Sequence, residues 1–223
     1  MSPSTELKTG LALFGHPFSS YTWKTLIALY ETETPFEFRN IAGDEYPENE
    51  AEFLAHWPVG KFPLLVEDGE PIMESSVIIE HVAPSLIPRE PAAALEVRLL
   101  DRIFDNHVMT PVQSIVAEHL PFITDTPDPN RVARARSSLD KIYPWINERL
   151  AGREWAAGEA FTLADCSGAP SLFYADWVQP IPEELETLKG YRARVLARPS
   201  VVRVVDEARP YRHLFPLGAP DRD

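Results

Sequence analysis

Two kinds of apolar patterning follow one another along this chain. The first is short and strand-like. Leu11 to Gly15 (LALFG) is an apolar run closed by glycine, as expected of a buried strand. His16-Pro17 breaks it, and Ser19 and Ser20 stand as candidate caps for a helix reaching to about Glu31, with Trp23, Leu26, Ile27 and Tyr30 at helical spacing. Pro35 to Ile41 then alternates Phe36 and Phe38 with charged residues, which predicts a second strand parallel to the first through a crossover helix. The acidic segment Asp44 to Ala55 mixes loop with a short helix. Trp57 to Val82 predicts a strand entered through Phe62-Pro63, a hairpin turn at Asp68-Gly69, a second short strand, and a helix opening at Ser75 directly after Glu74.

Pro84 to Pro91 holds three prolines in eight residues and reads as a linker. Beyond it strand signals stop. Leu95, Leu99, Leu100, Ile103, Phe104 and Val108 form one helical stripe, which Pro111 is expected to kink or end. Val132, Ala135, Leu139, Ile142, Tyr143, Ile146 and Leu150 form a second. Phe161-Thr162-Leu163-Ala164-Asp165 reads as a capping box with a hydrophobic staple, a structural device. Arg198-Pro199-Ser200 ends one helix and starts another. The pattern predicts an α/β domain over residues 1–84, a linker over 85–91 and an all-α domain over 92–223.

Composition narrows the chemistry. With 44% hydrophobic and 25% charged residues, the 223-residue chain falls in the globular range. A formal charge of −13 without basic clusters argues against nucleic acid and anionic membrane surfaces as partners. The polar segment before Leu11 lacks the apolar core of a signal peptide and no run is long enough to span a bilayer, so a cytoplasmic location is expected. The single cysteine, Cys166, excludes an internal dithiol pair and reads as a buried small hydrophobe, and the six histidines show no ligand spacing, so no metal is expected.

The local chemistry of Trp57 to Val82 suits a small anionic ligand with a peptide-like middle. Phe62, held extended by the proline after it, leaves its main chain open to pairing. The helix start at Ser75 offers free N–H groups to a carboxylate, and Glu74 beside it suits an ammonium.

Taken in order, HPFSSYTWKTLIAL, WPVGKFPLL, ESS, FTLADC and RPSVVRVVDEA resemble the cytosolic glutathione transferase family over roughly Leu11 to Arg209. The resemblance implies a thioredoxin-like N-terminal domain followed by an all-helical domain. It also implies that Pro63 is cis, that the main chain of Phe62 pairs with the cysteinyl part of glutathione, and that Glu74 and Ser75 take the γ-glutamyl ammonium and carboxylate, with Lys61 offered to the glycyl carboxylate. SSYTWK looks like the serine-type motif of the theta-like and zeta-like branches. This assigns the hydroxyl facing the glutathione thiolate to Ser19, with Ser20 as the alternative. No cysteine stands at Ser19, Ser20 or Tyr21, which disfavours a thiol-based reductase. Tyr21, Phe104, His107 and Val108 are expected around a small apolar electrophile, with Phe173 and Trp177 nearby. The resemblance further implies a homodimer. Two alternatives stand beside transfer: an isomerase of the maleylacetoacetate type, although Tyr21 replaces the cysteine usual there, and a non-catalytic binding module on the same fold.

Overall fold

The computed structural model describes residues 10–223; the polar segment before Leu11, apart from Gly10, lies outside the described residues. The N-terminal part is built on a four-stranded sheet in the order β2-β1-β3-β4. Strand β1 (Leu11–Gly15) runs parallel to β2 (Glu37–Asn40) through helix α1 (Ser20–Glu31), and antiparallel to β3 (Leu64–Glu67). Between β2 and β3 lies helix α2 (Pro47–His56). Strand β3 turns into β4 (Glu70–Met73) at Asp68 and Gly69, whose φ angles of 50° and 90° are those a tight hairpin needs. Helix α3 (Ser75–Val82) follows at once.

Side chains on a strand alternate between faces, so β1 and β3 each serve two cores. Leu13 and Leu65 join the main core with α1 and α3, while Phe14, Leu64 and Val66 meet Phe53 of α2 on the other side.

The C-terminal part is helical: α4 (Pro91–Ile103), α5 (Thr110–Ala117), α6 (Pro129–Arg149), α7 (Leu163–Val178), α8 (Glu186–Leu196) and α9 (Pro199–Ala208). Helix α7 is the centre, buried along its whole length and packed against α1. Its start is the expected capping box. The Asp165 carboxylate accepts the N–H groups of Ala156 and Thr162, each at 2.8 Å, together with the Tyr191 hydroxyl at 2.8 Å. Cys166 is fully buried next to it, which pushes its thiol pKa well up. Among the described residues no helix is long and apolar enough to cross a membrane.

One expectation for the first long helix needs correction, and one of the two outcomes expected at Pro111 does not occur. Leu95 and Leu99 are exposed, 69% and 44%, because the buried face runs through Ala94, Val97, Leu100 and Asp101 instead. Pro111 does not end the helix. A π-helical segment, Phe104–Met109, joins α4 to α5 just ahead of it, and the Thr110 hydroxyl donates to the Asp105 carbonyl at 3.1 Å. The wider turn accommodates a residue that brings no N–H.

Candidate active site

The loop between β1 and α1 is fixed by its own hydrogen bonds. The Phe18 N–H donates to His16 Nδ1 at 3.0 Å, the Ser19 N–H to the His16 carbonyl at 3.0 Å, Trp23 Nε1–H to the Pro17 carbonyl at 2.7 Å, and the Tyr174 hydroxyl to the Phe18 carbonyl at 3.0 Å. Ser19 thereby becomes the N-cap of α1, with φ −91° and ψ 128°. Its Oγ accepts only a long bond, 3.4 Å, from the Thr22 N–H, so the hydroxyl proton remains available to an acceptor outside the helix.

Two cavities meet at this residue. A polar one of about 480 Å³ is lined by Ser19, Tyr21, Trp57, Lys61, Phe62, Pro63, Glu74 and Ser75 from the first part of the chain, and by Arg102, Asp105, Asn106 and Gln113 from the helices. The Phe62-Pro63 peptide is cis, and among the described residues the main chain of Phe62 makes no hydrogen bond. Glu74 has φ 70°, a left-handed conformation that costs a non-glycine residue about 1–3 kcal/mol and recurs at ligand sites. That turn sets Glu74 at the N-terminus of α3, directly before Ser75. Burial first, and then the Asp105 charge, push the Tyr21 hydroxyl up to about 12, so it stays a neutral donor.

The second cavity, about 400 Å³, is apolar. Phe18, Phe62, Met109, Val112, Val116, Leu120, Phe122 and Phe215 form much of its wall, with His16, Ser20 and Gln113 among the polar residues. Ser19, Phe62 and Gln113 belong to both cavities, whereas Ser20 faces only the apolar one.

Behind the polar cavity lies a buried charge cluster. Lys24, 1% exposed, places its ammonium 2.6 Å from Asp101 Oδ1, 2.8 Å from Asp105 Oδ2 and 2.8 Å from Ser76 Oγ. Arg102 pairs with both aspartates, at 2.7 and 2.6 Å. Burial pushes both carboxyl groups up. At Asp101 the Lys24 charge, the hydrogen bonds from Lys24 and Ser167 and the Arg102 charge together outweigh it and hold the pKa below its ordinary value, whereas at Asp105 burial prevails and the pKa is raised. Among the described residues no cluster of three or more His, Cys, Asp or Glu is placed to hold a metal ion.

The structure thus gathers Ser19, Tyr21, Lys61, Phe62, Pro63, Glu74 and Ser75 around one cavity. Tyr21 belongs to the polar side and not to the apolar pocket where it was expected. Phe104, His107 and Val108 line neither cavity. Phe104 and Val108 are fully buried, Phe104 against Gly168 and Tyr191, and His107 is exposed. An apolar stripe marks the face packed on the core, and the cavity face lies beside it. The π segment also shifts the register, so that Asp105, Asn106 and Met109 reach the cavities instead. Phe173 and Trp177 belong to an aromatic cluster with Trp23 and Tyr174. Sequence reasoning missed Trp57, Arg102, Asp105 and Gln113, and on the apolar side His16, Phe122 and Phe215. A lysine inside the apolar helix α1 was the one available signal for the charge cluster.

A model of the glutathione S-transferase N-terminal domain matches residues 9–84, and one of the C-terminal domain residues 104–199. A glutathione S-transferase of Silene vulgaris is 31% identical, over 85% of this chain and 94% of its own length. The chain belongs to the glutathione S-transferase family. Glutathione S-transferase F6 of Arabidopsis thaliana is 27% identical over 88% of this chain and 99% of its own. The crystal structure of a glutathione S-transferase from Rhodospirillum rubrum superposes with a TM-score of 0.72 at 28% identity, over 87% of this chain and 91% of that one. The thioredoxin-like domain followed by a helical domain is therefore the family's architecture. The relatives named do not single out a theta-like or zeta-like branch.

Proposed function

We propose that this chain is a glutathione transferase in which the Ser19 hydroxyl stabilises the glutathione thiolate for attack on a small apolar electrophile. One observation carries the reading: Ser19 lies where the polar and apolar cavities meet, with its proton free to donate. The polar cavity suits glutathione along its length. The unpaired main chain of Phe62 takes the cysteinyl peptide. Ser75 at the start of α3 takes the γ-glutamyl carboxylate and Glu74 the ammonium, while Lys61 lies toward the glycyl end.

The thiol then stands at Ser19. A free thiol of pKa about 8.5 is only a few per cent ionised at neutral pH. Lowering that by about two units takes about 2.7 kcal/mol of selective thiolate stabilisation. A charge-assisted hydrogen bond of about 1.5–3 kcal/mol together with the N-terminus of α1, about 0.3–1 kcal/mol, supplies it. Sulfur bonds to the electrophilic carbon in the adjoining apolar cavity, and the pair displaced from that carbon leaves on the leaving group in a substitution or moves onto the conjugated neighbouring atom in an addition. Ser20, the first residue of α1, lines the apolar cavity alone and would touch the electrophile.

Exposed Val77 on α3 and Leu95 and Leu99 on α4 flank the Arg98–Glu80 ion pair and form an apolar strip suited to a second copy of this chain. A homodimer through these helices is part of the proposal.

Retention on immobilised glutathione, with turnover of a chloronitrobenzene that collapses in Ser19→Ala, is the expected result. Retention without turnover across a broad electrophile panel would replace the proposal with a non-catalytic glutathione-binding module. Full activity of Ser19→Ala with loss in Ser20→Ala would transfer the role to Ser20.

A further inference from the structure

His16 lies three residues before Ser19 and lines the apolar cavity with it. Its Nδ1 accepts the Phe18 N–H at 3.0 Å. A ring nitrogen that accepts carries no proton, so the neutral imidazole holds its proton on Nε2. Burial lowers the His16 pKa and favours the same neutral form. The ring is stacked on Phe62 with centroids 6.1 Å apart and met edge-on by Tyr211 at 6.2 Å, which fixes its orientation. Among the described residues Nε2 has no hydrogen-bond partner. The Tyr174 hydroxyl, also on this cavity, is already committed to the Phe18 carbonyl. The wall around His16 is otherwise dominated by Phe18, Phe62, Met109, Val112 and Val116. An oriented donor in such a wall, beside the Ser19 and Ser20 hydroxyls and the Gln113 amide, discriminates in favour of a ligand that brings an acceptor.

We propose that His16 Nε2–H is the oxyanion-binding group of the second-substrate site, and that this site is built for electrophiles whose reacting carbon is conjugated to a carbonyl oxygen. The inference rests on the transferase reading above and names its substrate class. In addition to an α,β-unsaturated carbonyl compound, the thiolate sulfur forms a bond to the β-carbon. The carbon–carbon π pair moves to the α-carbon–carbonyl bond, and the carbonyl π pair moves to oxygen. Nε2–H hydrogen-bonds that oxygen as it gains charge. Water then protonates the α-carbon, and the hydroxide left is neutralised by the proton released when the thiol ionised. Because the oxygen carries more charge in the transition state than in the bound enone, the donor raises kcat more than it lowers KM.

The test compares a small enone with benzyl chloride, whose displaced charge leaves on chloride and not on an oxygen. In His16→Asn the shorter amide side chain can still accept the Phe18 N–H but does not reach as far as Nε2 does, so the ratio of enone to benzyl chloride turnover should fall about 10- to 100-fold, mainly in kcat. His16→Gln places an amide N–H near the Nε2 position and should keep the ratio within about threefold of the wild type. An equal loss on both substrates in His16→Asn, or an unchanged ratio, would overturn the inference and leave the transferase reading intact. Wild-type protein that turned over neither substrate would remove both.

Discussion

Lys24 offers a sharp test of how the two halves of the chain are joined. Its ammonium, carried by α1, meets Asp101 of α4 at 2.6 Å and Asp105 of the π segment at 2.8 Å, with Ser76 of α3 as a third partner. Lys24→Met keeps the unbranched stem of the side chain as far as the ε position, removes the ammonium, and leaves two buried carboxylates facing one another. Removing one member of a buried ion pair costs about 3–5 kcal/mol, because the partner's charge stays behind without compensation. Arg102, half exposed, remains against both aspartates, which places the expectation at the lower end, about 3 kcal/mol. The pH dependence has a definite sign. Burial already raises the Asp105 pKa, and losing Lys24 raises it further. The folded variant then binds a proton at a pH where the unfolded chain does not, so its stability rises on acidification, and its deficit against the wild type should shrink between about pH 7 and about pH 5. Urea unfolding followed by the fluorescence of the five tryptophans, at one fixed protein concentration, measures this. A loss below about 1 kcal/mol, or a deficit that does not shrink toward acid pH, would refute the reasoning.

Two further outcomes follow from the helical half. Asp165→Ala strands the N–H groups of Ala156 and Thr162 and the hydroxyls of Thr162 and Tyr191, all within 3.1 Å of its carboxylate, and should cost about 3 kcal/mol in the same assay; a loss under about 1 kcal/mol would mean that the cap is not what starts α7. Leu99→Asp, placed on the exposed strip of α4, should convert a particle of twice the 25.1 kDa chain mass into a monomer by light scattering, and a monomeric wild type would remove the dimer.

The fold was legible because local signals agreed with one another. Ser19 before α1, the Phe62-Pro63 entry to β3, Asp68-Gly69 between β3 and β4, and Thr162 with Asp165 at α7 each act within a few residues, so the sequence carries them openly. The half of the site built from these same turns was legible for the same reason: Ser19, Phe62, Glu74 and Ser75 are all turn or cap residues. The other half depends on which face of α4 and α5 looks across at α1. Periodicity finds the core face, as it did with Phe104 and Val108, but it cannot supply the extra residue of a π turn or show that Phe122 and Phe215, far apart in sequence, close over the same cavity. The exposure of Leu95 and Leu99 was missed because an exposed apolar residue at helical spacing has the same sequence signature as one in the core.

The central claim is that the Ser19 hydroxyl makes bound glutathione a thiolate at neutral pH. Titrating the ultraviolet absorbance of the thiolate in the binary complex measures it directly, without an electrophile. Wild-type protein should show the bound thiol ionising about two units below the free value of about 8.5, and Ser19→Ala should return it upward by at least about one unit while glutathione still binds. An identical titration midpoint in the two proteins would contradict the account.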